Sequence, residues 1–256
     1  MSVLVVEGLS KSFGGVNAVR QVSFAVSAGE MLALIGPNGA GKSTCFNLIN
    51  GQLAADAGSV RLNGANITGK PPRDLFRLGV GRTFQIPASF GSMSVIENVQ
   101  AAMISRDRAV SGFLRQAADY ALAEAAELIA SAGMADQAAR NCGVLAYGDI
   151  KRVELALALA NNPKLLLMDE PAAGMAPGER HDLMALTRRL SRERGIAVLF
   201  TEHDMDSVFE FADRVVVLDR GAVIAAGSPV EIRANMRVQE VYLGSGAMFG
   251  VEVPTP

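Results

Sequence analysis

The sequence predicts an α/β fold: a core of mostly parallel sheet, with an antiparallel β subdomain and an inserted helical lobe. Three observations predict it. Short β-branched runs alternate with helical patterns, which marks a largely parallel sheet covered by helices. Met31 to Ile35, Leu165 to Met168 and Ala197 to Phe200 are continuously apolar, as strands buried on both faces are. Between about Met93 and Ala160 the texture changes and no strand candidate occurs. There Asp119 to Ala132 is rich in Ala and Glu, with Leu122, Ala126 and Ile129 at helical spacing.

The remaining elements follow in order. Val3 to Gly8 and Val22 to Val26 flank a turn signal at Gly14 and Gly15, and read as an antiparallel pair. Val215 to Leu218 and Val223 to Ala226 flank Asp219-Arg220-Gly221, a second hairpin signal. The end of the chain, from about Ser245, is punctuated by Gly and Pro and reads as loosely ordered. These boundaries place the core at 1–92 and 161–244, the helical lobe at 93–160 and the tail at 245–256.

Composition narrows the function classes. A length of 256 residues, half of them hydrophobic, suits one large domain or a core with an inserted lobe. The net charge of −2 argues against a nucleic-acid binder held by bulk positive charge. Cys45 and Cys142 lie far apart without metal-type spacing, which favours a reducing compartment over a disulfide framework. The opening MSVLVVEGLSKSF turns polar too soon for a signal peptide. No stretch approaches the ~20 apolar residues that span a bilayer, so a membrane role would come through a partner.

Chemistry enters after the strand ending at Ile35. Gly36, Pro37, Asn38, Gly39, Ala40, Gly41, Lys42, Ser43 and Thr44 fit G-x-x-x-x-G-K-[ST]. Glycines there let the backbone wrap phosphate oxygens with N–H groups turned inward, and a helix starting near Lys42 adds its positive dipole end. Lys42 supplies charge to the β- and γ-phosphates of a nucleotide, and the Ser43 hydroxyl can ligate Mg²⁺, which leaves kinases, GTPases and motors all open. A chance Gly-rich turn would lack this strand–loop–helix setting.

The run Lys164-Leu-Leu-Leu-Met-Asp169-Glu170 is the second half of the site. An apolar strand ending in two acids sets carboxylates at the carboxyl edge of a sheet, where ligands of open α/β sheets bind. Asp169 can hold Mg²⁺, and Glu170 can polarise an attacking water. Alone such a pair reads as a helix cap or a solvated turn; beside a phosphate loop it reads as chemistry.

Leu145-Ala-Tyr-Gly-Asp149 resembles the signature motif of ABC ATPases, usually LSGGQ. With Gln85 in GRTFQ, Asp169-Glu170-Pro171 and His203 in TEHD, the chain reproduces that family's motif order over nearly its whole length. The wording of FQIPASF, SVIENV, DEPAAGM, EHDMDSV and VYLG is similar to the ATP-binding subunits of bacterial branched-chain amino acid importers. The resemblance implies a P-loop NTPase fold and transport-coupled ATP hydrolysis with Mg²⁺. It implies two membrane permeases and, indirectly, an extracytoplasmic solute-binding protein as partners. It also implies a location on the cytoplasmic face of the membrane, and it favours pairing with a second, different ATPase chain over self-pairing.

The same resemblance assigns residues. Phe13 would stack on adenine, with a core position as the alternative. Gln85 would contact Mg²⁺ and the attacking water, with Ile86 to Phe90 facing the permeases; a lone glutamine would otherwise be a loop residue. His203 would contact the γ-phosphate, whereas His181 reads as a surface residue. Tyr147 and Gly148, ahead of a helix carrying Lys151, Arg152 and Glu154, would address an ATP held by the second subunit. Cys45 sits where a helix dipole could lower its pKa, though packing is the plainer role.

Two departures stand out. Ala146 replaces the usual signature serine, so one hydroxyl donor, worth ~1.5–3 kcal/mol to a charged group, is missing. The backbone or Tyr147 would have to supply it. The loop Ala173-Gly-Met-Ala176 lacks the acid that often ends the family's subunit-contact loop. Alternatives from other classes are a soluble ABC protein of translation or DNA repair, or a non-catalytic nucleotide-binding regulator. One P-loop, no heptad run and intact Lys42, Asp169 and Glu170 weigh against them. Within import, urea or amides stand beside amino acids.

Overall fold

The computed structural model describes residues 2–83, 89–107 and 119–243. Strands β1 (Ser2–Phe13) and β2 (Val16–Ser27) pair antiparallel across the Gly14-Gly15 turn. With β4 (Ala57–Leu62) and β5 (Ala65–Asn66) they form a four-stranded antiparallel sheet. A second sheet holds β3 (Met31–Ile35), β6 (Val80–Thr83), β7 (Leu165–Asp169), β8 (Ala197–Thr201), β9 (Arg214–Asp219) and β10 (Ala222–Gly227). Its order is β10-β9-β3-β8-β7-β6, parallel throughout except for the antiparallel β9–β10 hairpin.

The continuous apolar runs have the predicted reason: these strands are covered on both faces. Successive side chains alternate between two cores. Met31, Ala33 and Ile35 enter one, with Leu166, Met168, Val198 and Phe200. Leu32, Leu34, Leu165, Leu167, Ala197 and Leu199 enter the other, against the antiparallel sheet and helix α1 (Lys42–Ile49). In the chain's middle, α3 (Val95–Asp107), α4 (Leu122–Ser131) and α5 (Tyr147–Leu159) pack on one another; α2 (Pro72–Arg77) precedes β6. Then α6 (Pro177–Arg194) and α7 (Met205–Phe211) cover the first core, and α8 (Pro229–Ala234) and α9 (Met236–Leu243) follow β10.

Several elements depart from the sequence reading. β1 and β2 run further into the turn because their pairing continues through polar Ser12 and Asn17, which also share a 2.7 Å side-chain hydrogen bond. β4, β5 and β6 carry too weak an apolar pattern to be read. Val80–Thr83, with a glycine and an arginine, is a strand because β7 pairs with it from Leu165 to Met168. In α4 the buried face is Ala125, Leu128 and Ile129, whereas Leu122 and Ala126 point to solvent. α5 begins at Tyr147, so Gly148 lies inside its first turn and Ala146 takes the N-cap position.

Phe200 is fully buried at the centre of the parallel sheet. Phe200→Ala is expected to cost about 3–5 kcal/mol of unfolding free energy through lost burial and a residual cavity. Urea denaturation reads this directly, and a loss below about 1 kcal/mol would contradict the placement.

Candidate nucleotide site

The loop leaving β3 is shaped by close backbone approach. A Cβ on Gly36, at φ +153°, would lie 2.2 Å from the Leu218 carbonyl oxygen. One on Gly41, at φ +101°, would lie 2.3 Å from that of Ala18. No side chain fits at either position. The β9–β10 turn braces the loop from outside: Gly221 N–H donates to Ala40 O at 3.0 Å, and Arg20 N–H donates to Gly221 O at 2.7 Å. α1 starts at Lys42 without a side-chain cap, which leaves its first-turn N–H groups for another acceptor.

Lys42 folds back over this cradle, donating to Gly36 O at 2.7 Å and Pro37 O at 3.2 Å. Burial lowers its pKa, while the nearby charges of Glu170 and Asp169 oppose that shift. Ser43 and Asn38 are exposed and Ala40 is buried. Cys45, two residues further along α1, is fully buried, and desolvation pushes its thiol up to about 12. Desolvation outweighs the helix dipole there, and the side chain packs in the core with Phe46 and Ile49.

The acidic half lies at the same sheet edge because β8 runs between β3 and β7. The Thr201 hydroxyl donates to Asp169 Oδ1 at 2.8 Å and accepts from Glu170 N–H at 3.0 Å. Glu170 has a left-handed backbone, φ +50°, which costs a residue with a Cβ about 1–2 kcal/mol. The Thr201 bond holds that conformation, and the carboxylate then meets His203, Nε2 to Oε1 at 2.8 Å. Glu202, buried beneath, accepts from Ala172 N–H at 3.0 Å. Burial raises its carboxyl above the ordinary range, against the N–H groups of Ala172 and His203 and the Arg180 charge.

The donor set suits magnesium. Mg²⁺ keeps several waters and takes one or two protein oxygens together with phosphates, rather than an all-protein cage. The exposed Ser43 hydroxyl and the half-buried Asp169 carboxylate, oriented by Thr201, supply hard oxygen ligands of that kind. Arg82 of β6 faces Asp169 as a further charge; burial lowers its pKa and Asp169 opposes the shift.

Phe13 stands at the end of β1 with its ring 46% exposed, which rules out the core alternative. Lys11 Nζ lies 5.5 Å from the ring centroid. Tyr147 and Gly148 gather with the segment that follows Glu170. The Tyr147 hydroxyl donates to Ala173 O at 3.1 Å, and a Cβ on Gly148 would lie 3.0 Å from Glu179 Oε1. Gln85, with Ile86 to Ala88, lies outside the described residues. His181 is on the surface, 3.0 Å from Glu210. Sequence reasoning missed Thr201 and Arg82. The signal for Thr201 was present: a polar residue closing a wholly apolar strand, just before His203.

Comparison with known proteins agrees with this geometry. Residues 19–173 match the ABC transporter family, and residues 222–247 match the branched-chain amino acid ATP-binding cassette transporter family. The chain is 38% identical over 252 residues to the high-affinity branched-chain amino acid transport ATP-binding protein BraF of Pseudomonas aeruginosa, covering 94% of this chain and 98% of that one. It is 38% identical over 249 residues to LivG of Escherichia coli, with the same coverage. Among solved structures, an ATP-binding cassette of an ABC transporter in its ADP conformation aligns with TM-score 0.85 at 34% identity, covering 95% of this chain and 99% of that one. A nucleotide-free cassette aligns with TM-score 0.83 at 33% identity, covering 94% and 99%. The chain is thus an ATP-hydrolysing enzyme and belongs to the ABC transporter ATP-binding cassettes, among the branched-chain amino acid transport ATP-binding proteins.

Proposed function

We propose that the chain forms one half of a nucleotide sandwich, closing with a second cassette on Mg-ATP and driving uptake of branched-chain amino acids through membrane permeases. One observation carries the chemical part: Asp169, Thr201, Glu170 and His203 form a continuous hydrogen-bonded chain at the sheet edge that also bears the phosphate loop. In this reading the inward N–H groups of 36–44 and the Lys42 ammonium hold the β- and γ-phosphates, Lys42 leaving its carbonyl partners to do so. Phe13 stacks on adenine. Ser43 and Asp169, with Gln85, would hold Mg²⁺, which would offset charge on the transferring phosphoryl group. Glu170 orients and polarises the water that attacks the γ-phosphorus, and His203 fixes that carboxylate and contacts the γ-phosphate.

The second nucleotide meets the start of α5. Ala146 sits at its N-cap with extended backbone, φ −64° and ψ 156°, and supplies no cap hydrogen bond. The first-turn N–H groups from Tyr147 on are thus left without a side-chain cap as donors for an incoming anion, with Gly148 itself buried beside Glu179.

For the membrane side, residues 93–160 form the unit that carries the motion, with the segment after Gln85. Supporting this is a cleft of about 600 Å³ between the core and that unit, lined by Leu75, Phe76, Val80, Phe90, Ala102 and Leu157 among others. No helix among the described residues is long and apolar enough to cross a membrane. In this reading, contact with the bilayer runs through permease subunits on its cytoplasmic face. The solute assignment rests on the relatives' transport of branched-chain amino acids and on the match over 222–247.

Three outcomes follow. Lys42→Ala should weaken Mg-ATP binding about 10- to 100-fold, the worth of a charge-assisted hydrogen bond, read by titration with a fluorescent nucleotide; undiminished affinity would remove the loop lysine from the site. Glu170→Gln should lower turnover about 10²- to 10⁴-fold while an ATP-bound dimer accumulates on size exclusion. Wild-type turnover in that variant would refute the carboxylate's role. Ala146→Ser should restore an N-cap, raise the melting temperature by about 2–4 °C and preserve or tighten ATP-dependent dimerisation. A lower melting temperature or weaker dimer would contradict the cap assignment.

A further inference from the structure

Tyr147 lies in the first turn of α5, 44% exposed, yet its hydroxyl is committed within the chain. It donates to Ala173 O at 3.1 Å. A phenol has one proton to give, so this hydroxyl cannot also replace the missing serine as a donor to phosphate. The ring is held as well. Lys151 Nζ lies 5.5 Å from its centroid, and that lysine is buried and 3.0 Å from Glu154, which lines the cleft described above. On the other side Gly174, at φ +78°, brings backbone close: a Cβ there would stand 3.6 Å from Tyr147 Cε1.

The segment Tyr147 reaches is itself anchored to the hydrolytic centre. Ala173 follows Glu170 by three residues, and its N–H donates to Glu170 O at 3.2 Å. Ala172 N–H is held by buried Glu202, which follows Thr201. One hydroxyl therefore joins the start of α5 to a loop whose root carries Glu170.

We propose that Tyr147 is a positioning residue: its hydroxyl fastens the first turn of α5 to the loop at 171–176, so that the surface facing a second nucleotide and the carboxylate acting on the first move as one unit. This rests on the sandwich reading given above. A residue with this role shapes the closed, hydrolysing arrangement and leaves binding of ATP to the phosphate loop alone. Loss of the hydroxyl then acts on kcat and spares the open chain's affinity.

The test is Tyr147→Phe in the full chain, which keeps the ring against Lys151 and Gly174 and removes only the bond to Ala173. Nucleotide affinity, melting temperature and ATP turnover are measured on the same preparation, beside Lys42→Ala. The expected result is a kcat lowered on the order of five-fold, the scale of one neutral hydrogen bond, with Mg-ATP affinity unchanged and the melting temperature lowered by no more than about 4 °C. A kcat within two-fold of wild type overturns the proposal. So does a kcat loss matched by an equal loss of affinity, or by a melting temperature lowered well beyond about 4 °C, which would mark a merely structural contact. If Lys42→Ala retains turnover, the underlying reading fails; if Lys42→Ala is inactive and Tyr147→Phe is not impaired, only the tie fails.

Discussion

Because β8 is hydrogen-bonded on both sides, with Met31 of β3 opposite Val198 and Asp169 of β7 opposite Thr201, segments far apart in sequence reach one sheet edge at the same level. Parallel pairing is what makes this possible. All three strands point the same way, so their carboxyl ends open into one crevice, where open α/β sheets bind ligands. The phosphate loop leaves β3, the paired acids end β7, and Thr201 with His203 ends β8. A single buried hydroxyl then welds two of these ends together. Thr201 gives its proton to Asp169 and takes one from the Glu170 backbone, and this keeps Glu170 in a conformation that a side chain otherwise avoids.

Burial and charge act against each other across the site. Lys42 is drawn down by desolvation, and the charges of Glu170 and Asp169 oppose that shift. Glu202 is driven the other way, upward by burial, and tolerated because backbone N–H groups meet it. Cys45 is raised by burial alone, and its side chain packs in the core. Position along a helix is a poor guide to a thiol when the helix lies between two sheets.

The start of α5 carries no side-chain cap: alanine is at its N-cap, and Gly148 in its first turn is buried, with Glu179 standing where any Cβ on it would crowd. Tyr147 turns away from this surface to its own chain. Its bond to Ala173 joins the outward-facing helix start to the loop behind Glu170, and the buried Lys151–Glu154 pair continues the contact toward the cleft between core and helices.

The sequence by itself determined the fold class, the phosphate loop and the acids at the end of β7. Each is written in local pattern: a continuous apolar strand, glycines at fixed offsets, then a lysine. It also fixed the hairpins through their turn residues, though not their length, because ladder pairing carried polar Ser12 and Asn17 along. Only the tertiary structure decided the rest. Val80–Thr83 became a strand because β7 lies beside it, and Ala125 and Leu128, not Leu122, became the buried face of α4 because that is where the neighbouring helices pack. Thr201 and Tyr147 acquired their roles in the same way. Hydroxyls 32 and 26 residues from their partners leave no trace in spacing, since what joins them is a strand order and a helix start that the whole chain must fold to create.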